Sequence, residues 1–177
     1  MREFCKLFWS TMQILNARSQ YQGWTAVHVA SENGHVNILR LLVQRKADIN
    51  ARSFRSEYAV TPLHLACRNG LNGTVKFLLE HGADASSQDD RGWTPLHAAS
   101  EGGHVSVLRI LLEHGADATA ADIDGKTAAD IAHASKQYRA LTFLLGRSPQ
   151  STRLKYIGWR RGGYFEWNGR DPKPTLN

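Results

Sequence analysis

One short string recurs along this chain at a fixed interval, and a fixed interval restricts the fold more than any composition does. Gly92-Trp93-Thr94-Pro95-Leu96-His97-Ala98-Ala99-Ser100-Glu101 echoes Gly23-Trp24-Thr25-Ala26-Val27-His28-Val29-Ala30-Ser31-Glu32, with Thr61-Pro62-Leu63-His64-Leu65-Ala66 between them. Thr61, Thr94 and Thr127 follow one another at 33 residues, whereas Thr25 and Thr61 are 36 apart, so three residues are inserted once. A second string keeps the register: Leu78-Leu79-Glu80-His81-Gly82-Ala83-Asp84-Ala85 returns unchanged at Leu111 to Ala118 and loosely at Leu41 to Asp48. Two strings in phase imply a stack of like units, each burying its apolar side against the next.

The residue types give the unit a form. Thr before Pro places a side-chain oxygen at a helix N-cap and, at the first helical position, a residue with no amide hydrogen to leave unpaired. A short helix starts there, and Ala66, Ala98 and Ala99 on it are small enough for a neighbouring unit to come close. A second helix follows from His104, with Val105, Leu108 and Leu112 read as its core face. Gly82 and Gly115 end the second helices, where a left-handed residue costs glycine little. Lys46 holds that position in the first unit, at a cost of about 1 kcal/mol.

With these residues the chain resembles the ankyrin-repeat family, whose 33-residue unit carries a Thr-Pro-Leu-His-x-Ala signature on a turn and two helices. Thr61 to Ala66 and Thr94 to Ala99 match in full; Thr25 to Ala30 keeps Thr, His and Ala; Thr127 to Ala132 has lost Pro and His, as a terminal unit does. The resemblance implies an all-α solenoid of about four units with β-turn tips, at roughly 21–53, 54–89, 90–122 and 123–147. Residues 1–20 are read as an N-terminal half-unit: Phe4, Leu7, Phe8, Thr11, Met12 and Leu15 fall near helical spacing, and Asn16-Ala17-Arg18-Ser19 repeats Asn50-Ala51-Arg52-Ser53. Trp9 and Phe8 leave this end little polar outer face, which fits a piece of a longer ankyrin protein. Tyr138, Leu141, Phe143, Leu144 and Leu145 form the last helix, before a tail over 148–177 in which five aromatics surround Arg160-Arg161-Gly162-Gly163.

Charge separates the tail from the array. The chain carries a net +6, yet residues 25–150 hold 13 basic and 13 acidic residues, and the excess lies in the two flanks. The array is therefore no basic nucleic-acid platform. The tail, with six basic and two acidic residues, supports a nucleic-acid reading only weakly, against a hairpin cap or a loose tail. Apolar runs are too short to cross a bilayer. Cys5 and Cys67 lie too far apart in sequence for a metal ribbon and form no disulfide framework, so a reduced cytoplasmic setting is expected, with the nucleus second.

Eight histidines raise the question of a metal. His28, His64 and His97 recur once per unit, which strings them along a stack, and the resemblance implies that each holds a turn by a hydrogen bond. His81 and His114 stand at helix ends, and His35 and His104 open second helices. No motif of a nucleophile, phosphate loop or zinc protease is present, and Asp89-Asp90 and Asp122-Ile123-Asp124 read as turn carboxylates. We expect no catalysis, no metal and no cofactor; an accessory factor acting on a small molecule would need a closed pocket, which an open stack does not provide.

An ankyrin-like stack leaves its turn tips and first helices free of core duties, and the resemblance implies that this concave face binds another protein. The exposed positions are Tyr21, Gln22, Trp24, Glu32 and Asn33 in the first unit; Glu57, Tyr58, Arg68 and Asn69 in the second; Asp90, Arg91, Trp93 and Glu101 in the third; and Ile123, Asp124 and Lys126 in the fourth. Trp24 and Trp93 are read either as anchors or as spacers against the next turn. Phe54 and Arg55 in the insertion are expected to reach beyond the other tips. The reading is a monomeric scaffold or adaptor.

Overall fold

The structure is a computed structural model and describes residues 17, 23–54 and 58–147. These residues form four helix pairs: α1 (Ala26–Glu32) with α2 (Val36–Gln44), α3 (Pro62–Arg68) with α4 (Asn72–Glu80), α5 (Pro95–Glu101) with α6 (Val105–Glu113), and α7 (Ala128–Ala134) with α8 (Tyr138–Arg147). The closing helix expected over residues 2–15 and the tail over 148–177 lie outside the described residues.

Every first helix starts at its signature Thr, which is extended, and closes a capping box with the residue three positions on. Ala66, Ala98 and Ala99 are buried, and first helices pack on one another along α1, α3, α5 and α7. In the second helices the core arc differs from the one read off the sequence. Val107, Leu108 and Leu111 are the fully buried residues of α6, while Val105 and Leu112 are only partly buried. The reason is that α6 packs on α5 and also on α4 and α8, so its apolar arc turns toward its neighbours in the stack. No helix among the described residues is long and apolar enough to cross a membrane.

The left-handed turn after the second helix is found where it was expected, at Gly82, Gly115 and Lys46 with φ of 89°, 85° and 62°. A second such turn follows each first helix, at Gly34, Gly70 and Gly103, and there the fourth unit places Lys136 with φ 58°. Cys67 is buried without charged company, and burial pushes its thiol well above the usual range, so it is a packing residue.

Candidate functional site

The site is assembled from what each unit hands to the next. Nδ1 of His28, His64 and His97 accepts the backbone N–H of Thr25, Thr61 and Thr94 at 3.1, 3.3 and 3.2 Å. Nε2 of the same rings lies 3.1, 2.8 and 3.1 Å from the carbonyls of Val60, Trp93 and Lys126 in the following unit. An amide can only donate and a carbonyl can only accept, so each ring carries its hydrogen on Nε2 and is neutral. Burial agrees: it lowers the pKa of His64 to about 4 and lowers that of His97. In the fourth unit Asp130 takes the inner role, its Oδ2 accepting Thr127 N–H at 3.0 Å.

These links fix the turn before each first helix, and the turn at Asp89 is the most elaborate. The Asp89 side chain is 1% exposed. Its Oδ1 accepts the amides of Arg91 and Trp93, both at 2.9 Å, and its Oδ2 accepts Arg91 Nη2 at 2.9 Å and Nε at 3.2 Å. Held there, the Arg91 guanidinium sits 3.7 Å from the Tyr58 ring centre and 3.9 Å from that of Trp93. The result is an aromatic–cation–aromatic stack spanning two units. Trp93 also stacks on His97 and donates from Nε1 to Asp122 Oδ2 at 3.1 Å, so it braces the next turn. Asp122 repeats the turn geometry of Asp89, accepting the amides of Asp124 and Lys126 at 2.9 and 2.8 Å.

The first unit shows the same plan with one part changed. Trp24 stacks on His28 as Trp93 does on His97. Ser53 stands where Asp122 stands, 29 residues after the tryptophan, but its short side chain bonds Val60 N–H at 3.0 Å and the Tyr58 carbonyl at 3.3 Å. Trp24 Nε1 is buried and finds no hydrogen-bond partner among the described residues. A serine cannot reach the indole that an aspartate reaches one unit further on.

Between Leu65 and Ala98 the same face encloses a cavity of about 10 Å³, lined also by Val60, His64, Arg68, Asp89, Arg91 and Trp93. That is room for about one water and for no organic ligand. A second hollow of about 510 Å³, along Asn50, Arg52, Asp84 and Gln88, is an open polar groove. Its side chains are already engaged, Asn50 with Gly82 and Asp84, and Arg52 with the Gln88 carbonyl and Asp90.

A family profile described as ankyrin repeats in three copies matches residues 2–89 and 63–153. The chain belongs to the ankyrin-repeat family. It is 47% identical over 60 residues to the NF-kappa-B inhibitor cactus of Drosophila melanogaster, a match covering 34% of this chain and 12% of that protein. It is 39% identical over 69 residues to the palmitoyltransferase AKR1 of Lachancea kluyveri, covering 39% and 9%. It is 41% identical over 76 residues to the ADP-ribosylation factor GTPase-activating protein AGD2 of Arabidopsis thaliana, covering 43% and 9%. The chain thus spans only about a tenth of the length of these ankyrin-bearing relatives.

Of the positions read as partner-binding, Tyr21 and Arg55 lie outside the described residues, as do Gln22 and Glu57. The ankyrin units bring most of the others together by ties between neighbours. Asn69 donates to the Glu32 carbonyl at 3.0 Å, Asn33 donates back to Val29 within α1 at 2.9 Å, and Arg68 pairs with Glu101 at 3.7 Å. Asp90 takes Arg52 at 3.2 Å and the Ala59 amide at 3.2 Å. Asp124 and Lys126 pair at 3.3 Å in the fourth tip. Phe54 and Ile123 hold equivalent tip positions and are 59% and 74% exposed, the two most exposed large apolar side chains described. Phe54 also lies over Gly23, where a Cβ would come within 2.9 Å of its ring. Sequence reading missed Arg52 and Asp89 as parts of this face. The signal was there for Asp89, since an acid recurs at 89 and 122 five residues before each signature Thr.

Proposed function

We propose that this chain is a non-catalytic binding module, a scaffold or adaptor, that recognises another protein through its turn tips and the concave side of its first helices. Ankyrin repeats are in general protein–protein interaction modules. The observation that carries the reading for this chain is the Tyr58–Arg91–Trp93 stack held by Asp89. Tyrosine, tryptophan and arginine are the residue types that concentrate interface energy, and here they are fixed before any partner arrives. Fixing them beforehand reduces the conformational entropy lost on association. The array acts as a monomer in the cytoplasm or nucleus, without cofactor. Two neighbouring facts support binding over chemistry: the hollow beside the stack holds no more than a water, and the nearby imidazoles are committed to the stitching of units.

The test uses two exposed tip residues that lie outside the core. Because Phe54 and Ile123 are exposed, Phe54→Ala combined with Ile123→Ser should change the melting temperature by no more than about 2 °C. Quantitative affinity purification from the source cell, with Lys76→Ala on a second helix as control, is expected to show specific proteins captured by wild type and control and depleted at least about tenfold by the tip variant, the effect of losing two anchors. Equal capture by all three baits would reject the proposed face.

A further inference from the structure

Charge is divided between the two rows of helices. Residues 23–33, 50–69, 86–102 and 119–135, which hold the turn tips and first helices, include five basic and eight acidic residues. Residues 34–49, 70–85, 103–118 and 136–147, which hold the second helices and the turns around them, include eight basic and five acidic. An array that is neutral as a whole thus carries −3 on its proposed binding face and +3 on the other row. Arg55 and Glu57, outside the described residues, cancel in this count. On the acidic row Arg52, Arg68, Arg91 and Lys126 are each paired with an acid of the same row, at 2.9–3.7 Å. The excess therefore falls on Glu32, Asp122 and Asp130. Asp122 accepts the neutral N–H groups of Trp93, Asp124 and Lys126, none of which offsets its charge.

We infer that the partner docks through a basic segment that lays one apolar side chain on Phe54, a lysine or arginine against Asp90, and a second apolar side chain on Ile123. The inference rests on the proposed binding face and names the chemistry that fits it. Phe54 and Ile123 are the exposed apolar groups of the second and fourth tips, and the third tip sets the exposed Asp90 between them. Asp122 and Asp124 flank Ile123 in the chain, so an apolar contact there is made inside a negative field. Arg91 does not oppose a basic partner, because Asp89 balances it at 2.9 Å. An acidic partner would meet the uncompensated carboxylates and be repelled. The first helices pack on one another in series. Packed helices stand about 8–10 Å apart, so tips two units apart are separated by about 16–20 Å. An extended segment rises about 3.3 Å per residue and turns alternate side chains to one side. Its two apolar residues are therefore about six positions apart, with the basic residue at an even position between them.

The test selects binders of the full chain from a phage-displayed library of random linear peptides of roughly twelve residues, counter-selected on the bare support. Selected peptides should be enriched in lysine and arginine, with apolar residues about six positions apart. By fluorescence anisotropy, such a peptide should bind Asp90→Asn/Asp124→Asn about tenfold more weakly than wild type. Glu80→Gln/Glu113→Gln makes the same change in net charge on the second helices and should stay within about twofold. Binding to wild type should weaken at least about threefold between about 50 and 300 mM salt. Asp90→Asn keeps an acceptor for the Ala59 amide, and both tip aspartates are exposed, so melting should move by no more than about 2 °C. Selection of acidic or uncharged peptides that still require Phe54 and Ile123 would overturn the charge assignment and leave the binding face standing. Peptides indifferent to Phe54→Ala/Ile123→Ser and to the aspartate variant would overturn both. No enrichment at all would mean that the row is closed to a separate segment, by a second copy or by another part of this chain, and would overturn the inference; the affinity purification would then judge the face independently.

Discussion

Asp89→Ala should lower the stability of the chain by about 3 kcal/mol, a fall in melting temperature of about 6–12 °C. The substitution removes the acceptor of two turn amides and of two guanidinium N–H groups, and it leaves Arg91 charged between two rings without its counter-ion. Arg91 keeps 24% of its side chain exposed, so water recovers part of the loss, and the figure sits at the low end for breaking a buried ion pair. Asp89→Asn retains an acceptor for the two amides and should lose about half as much. The exposed pair Arg52–Asp90 gives the contrast: Arg52→Ala should cost about 1 kcal/mol or less. Differential scanning calorimetry of the three variants checks the order. A melting change under about 2 °C for Asp89→Ala would show that the turn does not depend on its carboxylate.

The second large effect is a loss of stability in mild acid. His64 has a folded pKa of about 4 because burial penalises its charged form, while an unfolded histidine titrates near 6.5. Between these values the unfolded chain binds the proton and the folded chain does not. The contribution is thus complete above about pH 6.5, declines as pH falls, and is gone below about pH 4, with a full extent on the order of 3 kcal/mol. His97 shifts in the same direction and adds to the slope. Asp117, whose carboxylate is held below its usual range by hydrogen bonds from Thr119, acts only below pH 4 and is nearly fully exposed, so it does not account for this window. His64→Gln keeps an acceptor for Thr61 N–H and a donor for the Trp93 carbonyl but cannot titrate. Its melting temperature should fall less than that of the wild type between pH 6.5 and 4.5. Parallel curves would refute the assignment to His64.

The helix pairs and their register were legible because they depend on short-range chemistry: a Thr cap, a proline at the first helical position, and glycine after the second helix. The strain at Lys46 was legible for the same reason. The core arc of α6 was misread by taking Val105 and Leu112 in place of Val107 and Leu111, since one helix's periodicity does not say how many neighbours it has. The choice left open for Trp93 depended on Asp122, 29 residues away, whose side chain receives its indole N–H. The stack of Arg91 with Tyr58 depends on how the three-residue insertion is absorbed, and no local pattern encodes that.

Amide hydrogen exchange with the purified partner bound tests the binding account most directly. Added protection should concentrate in residues 58–68 and 90–101, the tips and first helices around the Tyr58–Arg91–Trp93 stack. Protection confined to α2, α4 and α6 or to residues 148–177, with 58–68 and 90–101 unchanged, would contradict it.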